Sequence, residues 1–190
     1  MKRFNLYQVE SFDELARPEV VSDITLDSPA LSVLTDFMYH EPMVADVDEP
    51  ACDIEQKMLR NHVRMKLVVD KQNQFLGLIS LDDLNAQEIL KRVAQGYLRE
   101  DLSAADFMRP KESLRALDYH ELRYATVGDL VQILKDNPHQ HYLVVDRTLH
   151  KIRGVISASD LARKLRLDIN VNKHSSFIDV YSALYPKSMH

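Results

Sequence analysis

Residues 77–84 read GLISLDDL, and residues 154–161 read GVISASDL. A glycine, two aliphatic residues, a serine, two variable positions, an aspartate and a leucine recur in one order. A second block travels with each motif: Leu67-Val68-Val69-Asp70 before the first and Leu143-Val144-Val145-Asp146 before the second. A third, Asp36-Phe37-Met38 and Asp106-Phe107-Met108, lies further upstream in each half. The three offsets, 77, 76 and 70 residues, place an insertion of about six residues in the second copy, within ESLRALDYHELRYA (112–125). A chain that carries the same blocks twice, in the same order, is expected to fold as two copies of one unit.

Each copy has a legible local structure. LVVD is a short β-branched run suited to a buried strand. A polar stretch follows, and then a second apolar run, FLGLIS or IRGVIS, so the pair reads as a hairpin. A helix precedes each hairpin. In copy two, Thr126 with Asp129 three residues on forms a capping box, and Val127, Leu130, Val131 and Leu134 share one face. In copy one, Asp48 and Pro50 mark the start, and Ile54, Met58 and Leu59 supply the face. A further helix is expected to begin at the aspartate of each motif. Asn85 to Arg99 supplies Ile89, Leu90, Val93 and Tyr97 to one face, and Leu161 to Leu167 is the shorter counterpart.

Each copy thus reads strand–helix–strand–strand–helix in roughly 60 to 70 residues, too small a unit to bury a comfortable core alone. The fold class expected is mixed α/β (α+β), with two pseudo-symmetric repeats packed as one body. The boundaries are an extension at 1–30, repeat one at 31–100, repeat two at 101–168 and a tail at 169–190.

The order of DFM, capped helix, LVVD strand and G-h-h-S-x-x-D-L motif resembles the cystathionine-β-synthase (CBS) domain. Two in tandem resemble a CBS pair, or Bateman module, over about residues 31 to 168. The resemblance implies a non-catalytic regulatory module that binds adenine nucleotides or S-adenosylmethionine in clefts between the repeats. It also implies pairing into a homodimer through helices. Many family members carry proline before VVD, whereas both copies here have leucine, Leu67 and Leu143, which alters the pocket rim. In the family, basic residues just before this strand touch phosphate. Arg64 and Lys66 stand there in copy one, and His139 and His141 in copy two.

The motif's chemistry suits such a ligand. An ionised carboxylate accepts hydrogen bonds from both hydroxyls of a ribose. A serine hydroxyl and the first N–H groups of a helix suit a phosphate. The candidate ligand-binding residues are therefore Ser80, Asp83, Ser157 and Asp160, with Gly77, Gly154, Arg64, Lys66 and His141. Two readings stand for the serine and aspartate: ligand binding, or simple capping of the helix. The glycines sit inside strands, where a missing side chain admits either a second backbone or a ligand. Arg64 and Lys66 serve either a phosphate or an ordinary solvated strand edge. Between the two clefts, the one built on Ser157 and Asp160 is expected to prefer a phosphate-bearing ligand. Copy one adds Asp82, fixed within the motif, whereas copy two has Ser159 there, and the long side chains of Arg64 and Lys66 point either to solvent or into the facing cleft.

Other chemistry is weakly marked. His139 and His141, with Asp146, lack a closing metal-ligand pattern. Asp82 and Asp83 are adjacent at a helix start and diverge. Neither a catalytic centre nor a required cofactor is expected. The net charge of −5 argues against nucleic acid as the main partner. Cys52 is the only cysteine and no stretch resembles a signal peptide or membrane span, so the cytoplasm is expected. At the ends, FDELARP suggests a helical turn and ITL (24–26) a short strand. Ser176 and Asp179 form a capping box for a helix whose face carries Phe177, Val180, Tyr181 and Leu184. That helix either packs on its own module or docks a partner. A scaffold or interaction protein whose clefts no longer bind nucleotide is the alternative function.

Overall fold

The computed structural model describes residues 23–167 and 175–186, together with Gln8 and Glu10. The expected helical turn of FDELARP lies outside the described residues. In chain order the elements are β1 (Thr35–Asp36), β2 (Val44–Asp46), α1 (Ala51–Arg60), β3 (Met65–Val69), β4 (Phe75–Ser80) and α2 (Ala86–Ala94). There follow α3 (Ala104–Phe107), β5 (Arg109–Pro110), β6 (Ala116–Asp118), α4 (Tyr119–Leu122) and α5 (Val127–Leu134). The last are β7 (His141–Asp146), β8 (Lys151–Ser157), α6 (Ala158–Lys164) and α7 (Phe177–Leu184). The fold is mixed α+β, and each repeat is strand–helix–strand–strand–helix. No helix among the described residues is long and apolar enough to cross a membrane.

The strands form two four-stranded sheets, ordered β1-β8-β7-β6 and β2-β3-β4-β5. Each hairpin is antiparallel and shifts register at the same place, between Val68 and Val69 and between Val144 and Val145. The edge strands cross over. β1 leads into repeat one but pairs with β8 of repeat two, and β5 leads into repeat two but pairs with β4 of repeat one. Each sheet is therefore completed by the segment that introduces the other repeat. A separated repeat would lose an edge strand as well as its neighbour.

That register corrects the repeat read from DFM. Asp36 lies opposite Gly154, and Pro110 lies opposite Gly77, so the equivalent positions are 74 residues apart rather than 70. Asp36-Phe37-Met38 runs through β1 and beyond it, whereas Asp106-Phe107 ends α3. The match of letters is out of structural register. The insertion is α4, inside the segment expected to hold it. Four residues separate β2 from α1, against eight between β6 and α5.

Helix starts follow local chemistry. Thr126 Oγ1 accepts from Asp129 N while the Asp129 carboxylate accepts from Thr126 N, so the capping box of α5 forms as expected. Its four apolar positions are at most 2% exposed. The helices after the motifs differ from expectation. In copy one Asn85, not Asp83, caps α2, accepting from Gln87 N and Glu88 N. In copy two Ser157 is the cap and α6 starts before Asp160. α2 ends at Ala94, short of the expected Arg99; of the expected face only Ile89 is buried, while Leu90, Val93 and, beyond the helix, Tyr97 are exposed. ITL forms no strand. Its Leu26 carbonyl instead accepts from Gly128 N, and Ile24 and Leu26 pack on the second core.

Two cores back the two sheets. One centres on Ile54, Met58, Val68 and Ile79, the other on Leu130, Val144, Ile156 and Leu161. Between the sheets, Leu67, Leu78 and Leu143 form a small third cluster. α7 packs on its own module, against α5 and α6, with Phe177 and Val180 buried. Its Ser176–Asp179 capping box forms as expected.

Candidate functional site

The motif of repeat two opens onto a cavity of about 680 Å³ between the repeats. Ser157 closes β8 and caps α6, and its Oγ lies 2.8 Å from Ser159 Oγ and 3.4 Å from Asp160 N. The Asp160 carboxylate pairs with Arg163 one turn along. Thr35 of β1, Arg64 and Leu67 of repeat one, and His141 at the head of β7 complete the polar and apolar walls. Hydroxyls, two carboxylates (Asp160 and Glu41) and two guanidinium groups (Arg64 and Arg163) therefore converge on a space large enough for a small organic ligand.

In the equivalent motif of repeat one the polar groups are bonded to one another. Ser80 donates to Asp83 Oδ2 twice, from its backbone N at 2.8 Å and from Oγ at 2.6 Å. Arg109, which stands where Thr35 stands in the other cleft, places Nε 3.4 Å from the same oxygen. Asp82 accepts from Gln140 Nε2 at 2.5 Å and lies 3.9 Å from Arg64. The additional carboxylate of copy one thus latches the two repeats together.

A family model described as CBS domain matches residues 34–87 and again 122–167, more than half of the chain. The chain belongs to the CBS domain family. Its two matched segments make it a tandem CBS pair. No curated protein matches it. Among solved structures it resembles an uncharacterized conserved protein from Pyrococcus horikoshii, 16% identical with TM-score 0.55, over 77% of this chain and 98% of that one. It also resembles CBSX2 in complex with AMP, 18% identical with TM-score 0.51, over 72% and 94% of the two chains. At such identities the likeness establishes the fold. CBS pairs are typically regulatory rather than catalytic.

Of the residues singled out in the sequence, this CBS pair brings Arg64, His141, Ser157 and Asp160 together around the open cavity. Arg64 is not a solvated edge residue. It belongs to repeat one and lines the cleft of repeat two. Ser80 and Asp83 lie apart, bonded to each other and beside Arg109.

Gly77 and Gly154 make room for backbone. A Cβ on Gly77 would collide with the Arg109 carbonyl, and one on Gly154 with the Thr35 carbonyl. The two glycines admit β5 and β1, so their place in the motif follows from the strand crossing. Lys66 also leaves the site. Side chains alternate along β3, so with Leu67 facing the cleft Lys66 turns to the other side. It is 7% exposed there, and its Nζ donates to the Val44 carbonyl at 3.0 Å.

His141 keeps a partly accessible edge, but its Nδ1 is sealed and has no hydrogen-bond partner. Burial, reinforced by Arg109 and Arg64, pushes its pKa down to about 4. The imidazole is therefore neutral at pH 7. His139 is not in the strand and packs edge-on against Tyr142. Among the described residues no three side chains form a metal-ligand group. Leu67 and Leu143, in the place of the family's proline, pack with Leu78 at the centre of the interface.

Thr35, Arg109 and Gln140 escaped the sequence reading. Each reaches the motifs only through strand pairing with, or hydrogen bonding to, the other repeat. The basic character of Arg109, three residues after Asp106, carries no local signal of that contact.

Proposed function

We propose that this CBS pair is a non-catalytic regulatory module that binds one adenosine-containing ligand per chain in the Ser157–Asp160 cleft. The observation that carries the reading is the contrast between the two motifs: Ser157, Ser159 and Asp160 line a cavity with Arg64, whereas Asp83 and Asp82 are taken up by Ser80, Arg109 and Gln140. The structure of CBSX2 in complex with AMP supports the ligand class. Asp160 is placed to accept ribose hydroxyls by giving up its exposed pairing with Arg163, an exchange of modest cost. Ser157, Ser159 and Arg64 then serve the phosphate. Thermal unfolding with AMP, ADP, ATP and S-adenosylmethionine tests the proposal. A ligand at 100 times its Kd stabilises by about 2.7 kcal/mol. No shift with any of the four would favour the alternative, a scaffold with silent clefts.

The same reading includes self-association. Leu90 and Val93 of α2, with Tyr97 and Leu98 just beyond its end, are 40–65% exposed. α7 covers α5 and α6 in repeat two, so among the described residues α2 is the apolar helical face offered to a second copy.

A further inference from the structure

A second cavity, of about 820 Å³, lies at the opposite end of the strands from the serine–aspartate motifs. Its floor is built from equivalent residues of the two repeats. Val69 and Val145 occupy the same strand position, as do Phe75 and Ile152, their partners across each hairpin. Asn73 and His150, at the two turns, both have positive φ, 60° and 50°. The cavity therefore straddles the pseudo-two-fold axis; it adjoins the Ser157–Asp160 cavity, with Phe37, Glu41 and Leu67 as the wall they share, but contains neither serine–aspartate motif. The four floor side chains are only half-buried, so the hairpins splay apart here instead of closing on each other. A recess with apolar walls left to water is unfavourable unless something fills it.

The rim breaks the symmetry. One side carries Phe37, Pro42 and Val44, and the other carries Lys111, whose position is equivalent to that of Phe37. Lys151 adds a second ammonium, against the single carboxylate of Glu41. Among the described residues neither lysine takes part in an ion pair. We propose that this axial recess is a binding site for a small amphiphilic organic anion, a carboxylate on an apolar body of one or two rings. The body lies on the floor against Phe37 and Val44, and the carboxylate faces Lys111 and Lys151. The volume falls in the range of small-molecule sites, and a charge-assisted contact at the rim sets the orientation. Because its walls come from both repeats, an occupant would hold the two hairpins at a fixed separation.

The test uses 1-naphthoate and its neutral isostere 1-naphthamide, titrated into the full chain without nucleotide and followed by amide NMR. The expected result is saturable shifts at Val69, Phe75, Val145 and Ile152, with naphthoate binding tighter than naphthamide. The double variant Lys111→Glu, Lys151→Glu changes two exposed side chains and leaves the floor intact. It should weaken naphthoate by about tenfold or more while altering naphthamide less than about twofold. Ile152→Trp, which fills the recess, should weaken both. Absence of saturable shifts at these four residues overturns the proposal. So does naphthoate affinity that survives the charge reversal, or shifts centred on Ser157 or on α2.

Discussion

Arg153 grips Asp36 with two parallel hydrogen bonds, Nε to Oδ1 at 2.7 Å and a terminal nitrogen to Oδ2 at 2.8 Å, across 117 residues of sequence. The pair fastens β1 to β8, the crossing that commits repeat one's lead-in to repeat two's sheet. Tyr119 supports it, its ring centre 4.5 Å from the guanidinium carbon. Both side chains are largely buried, so solvent screens the pair little.

Asp36→Asn should therefore destabilise the protein by about 2 kcal/mol at neutral pH. The Arg153 hydrogen bonds, outweighing burial, hold the Asp36 carboxyl below its ordinary value of 3.8. A carboxyl lowered by folding contributes its stability fully above the ordinary value and loses it as pH falls through the folded one. Urea unfolding at pH 7 and near pH 3 should show the gap between wild type and variant shrinking in acid. An equal gap at both pH values would contradict the role given to the charge.

His141 produces an acid loss in a different window. Its pKa is about 4 in the folded protein, against an ordinary 6.5. The unfolded chain binds the proton first, so stability falls as pH drops from about 6.5 to about 4, by about 3 kcal/mol in all. Met65 occupies the equivalent position in repeat one, which makes His141→Met a well-matched substitution. Denaturation midpoints of the variant should stay flatter across that window than those of wild type. The same slope in both proteins would remove His141 as its origin.

Gly77→Ala and Gly154→Ala should each cost about 3 kcal/mol or more, because the added methyl group meets a carbonyl oxygen of the crossing strand. Nucleotide affinity measured on whatever folded protein remains should change much less than stability. A stable variant that fails only in binding would restore the glycines to the ligand site.

Asp83→Ala and Asp160→Ala should separate stability from binding. Asp83 accepts from Ser80 twice and faces Arg109, so its loss destabilises by about 1–3 kcal/mol with little effect on affinity. Asp160, whose contact is an exposed pairing, should instead lose about tenfold or more in affinity for the nucleotide that stabilises wild type. Calorimetry and thermal unfolding of both variants check this. A larger affinity loss from Asp83→Ala would reverse the assignment of the open cleft.

Leu90→Glu puts a charge in the centre of the exposed α2 stripe. Sedimentation at micromolar concentration should show wild type as a dimer and the variant as a monomer of unchanged thermal stability. A wild type that sediments as a monomer would leave the stripe without a second copy.

The sequence by itself determined what depends on neighbours along the chain. The capping boxes Thr126–Asp129 and Ser176–Asp179 are four-residue events, and both form where the letters place them. The two hairpins follow from apolar runs around polar turns, and the doubled motif was enough to establish the repeat and its family. Tertiary structure decided everything that requires one repeat to meet the other. The apparent DFM repeat slips by four residues because strand pairing, not identity of letters, sets equivalence. The motif glycines proved to be crossing points, since only the fold brings Thr35 and Arg109 against them. Identical serine–aspartate pairs acquired different surroundings because the side chains of Arg109 and Gln140 bond the carboxylates of the first motif, whereas Asp160 of the second pairs, among the described residues, only with Arg163 on its own helix. Contacts between residues tens of positions apart leave no periodic trace in a single sequence, whereas a cap or a turn is written within a few residues.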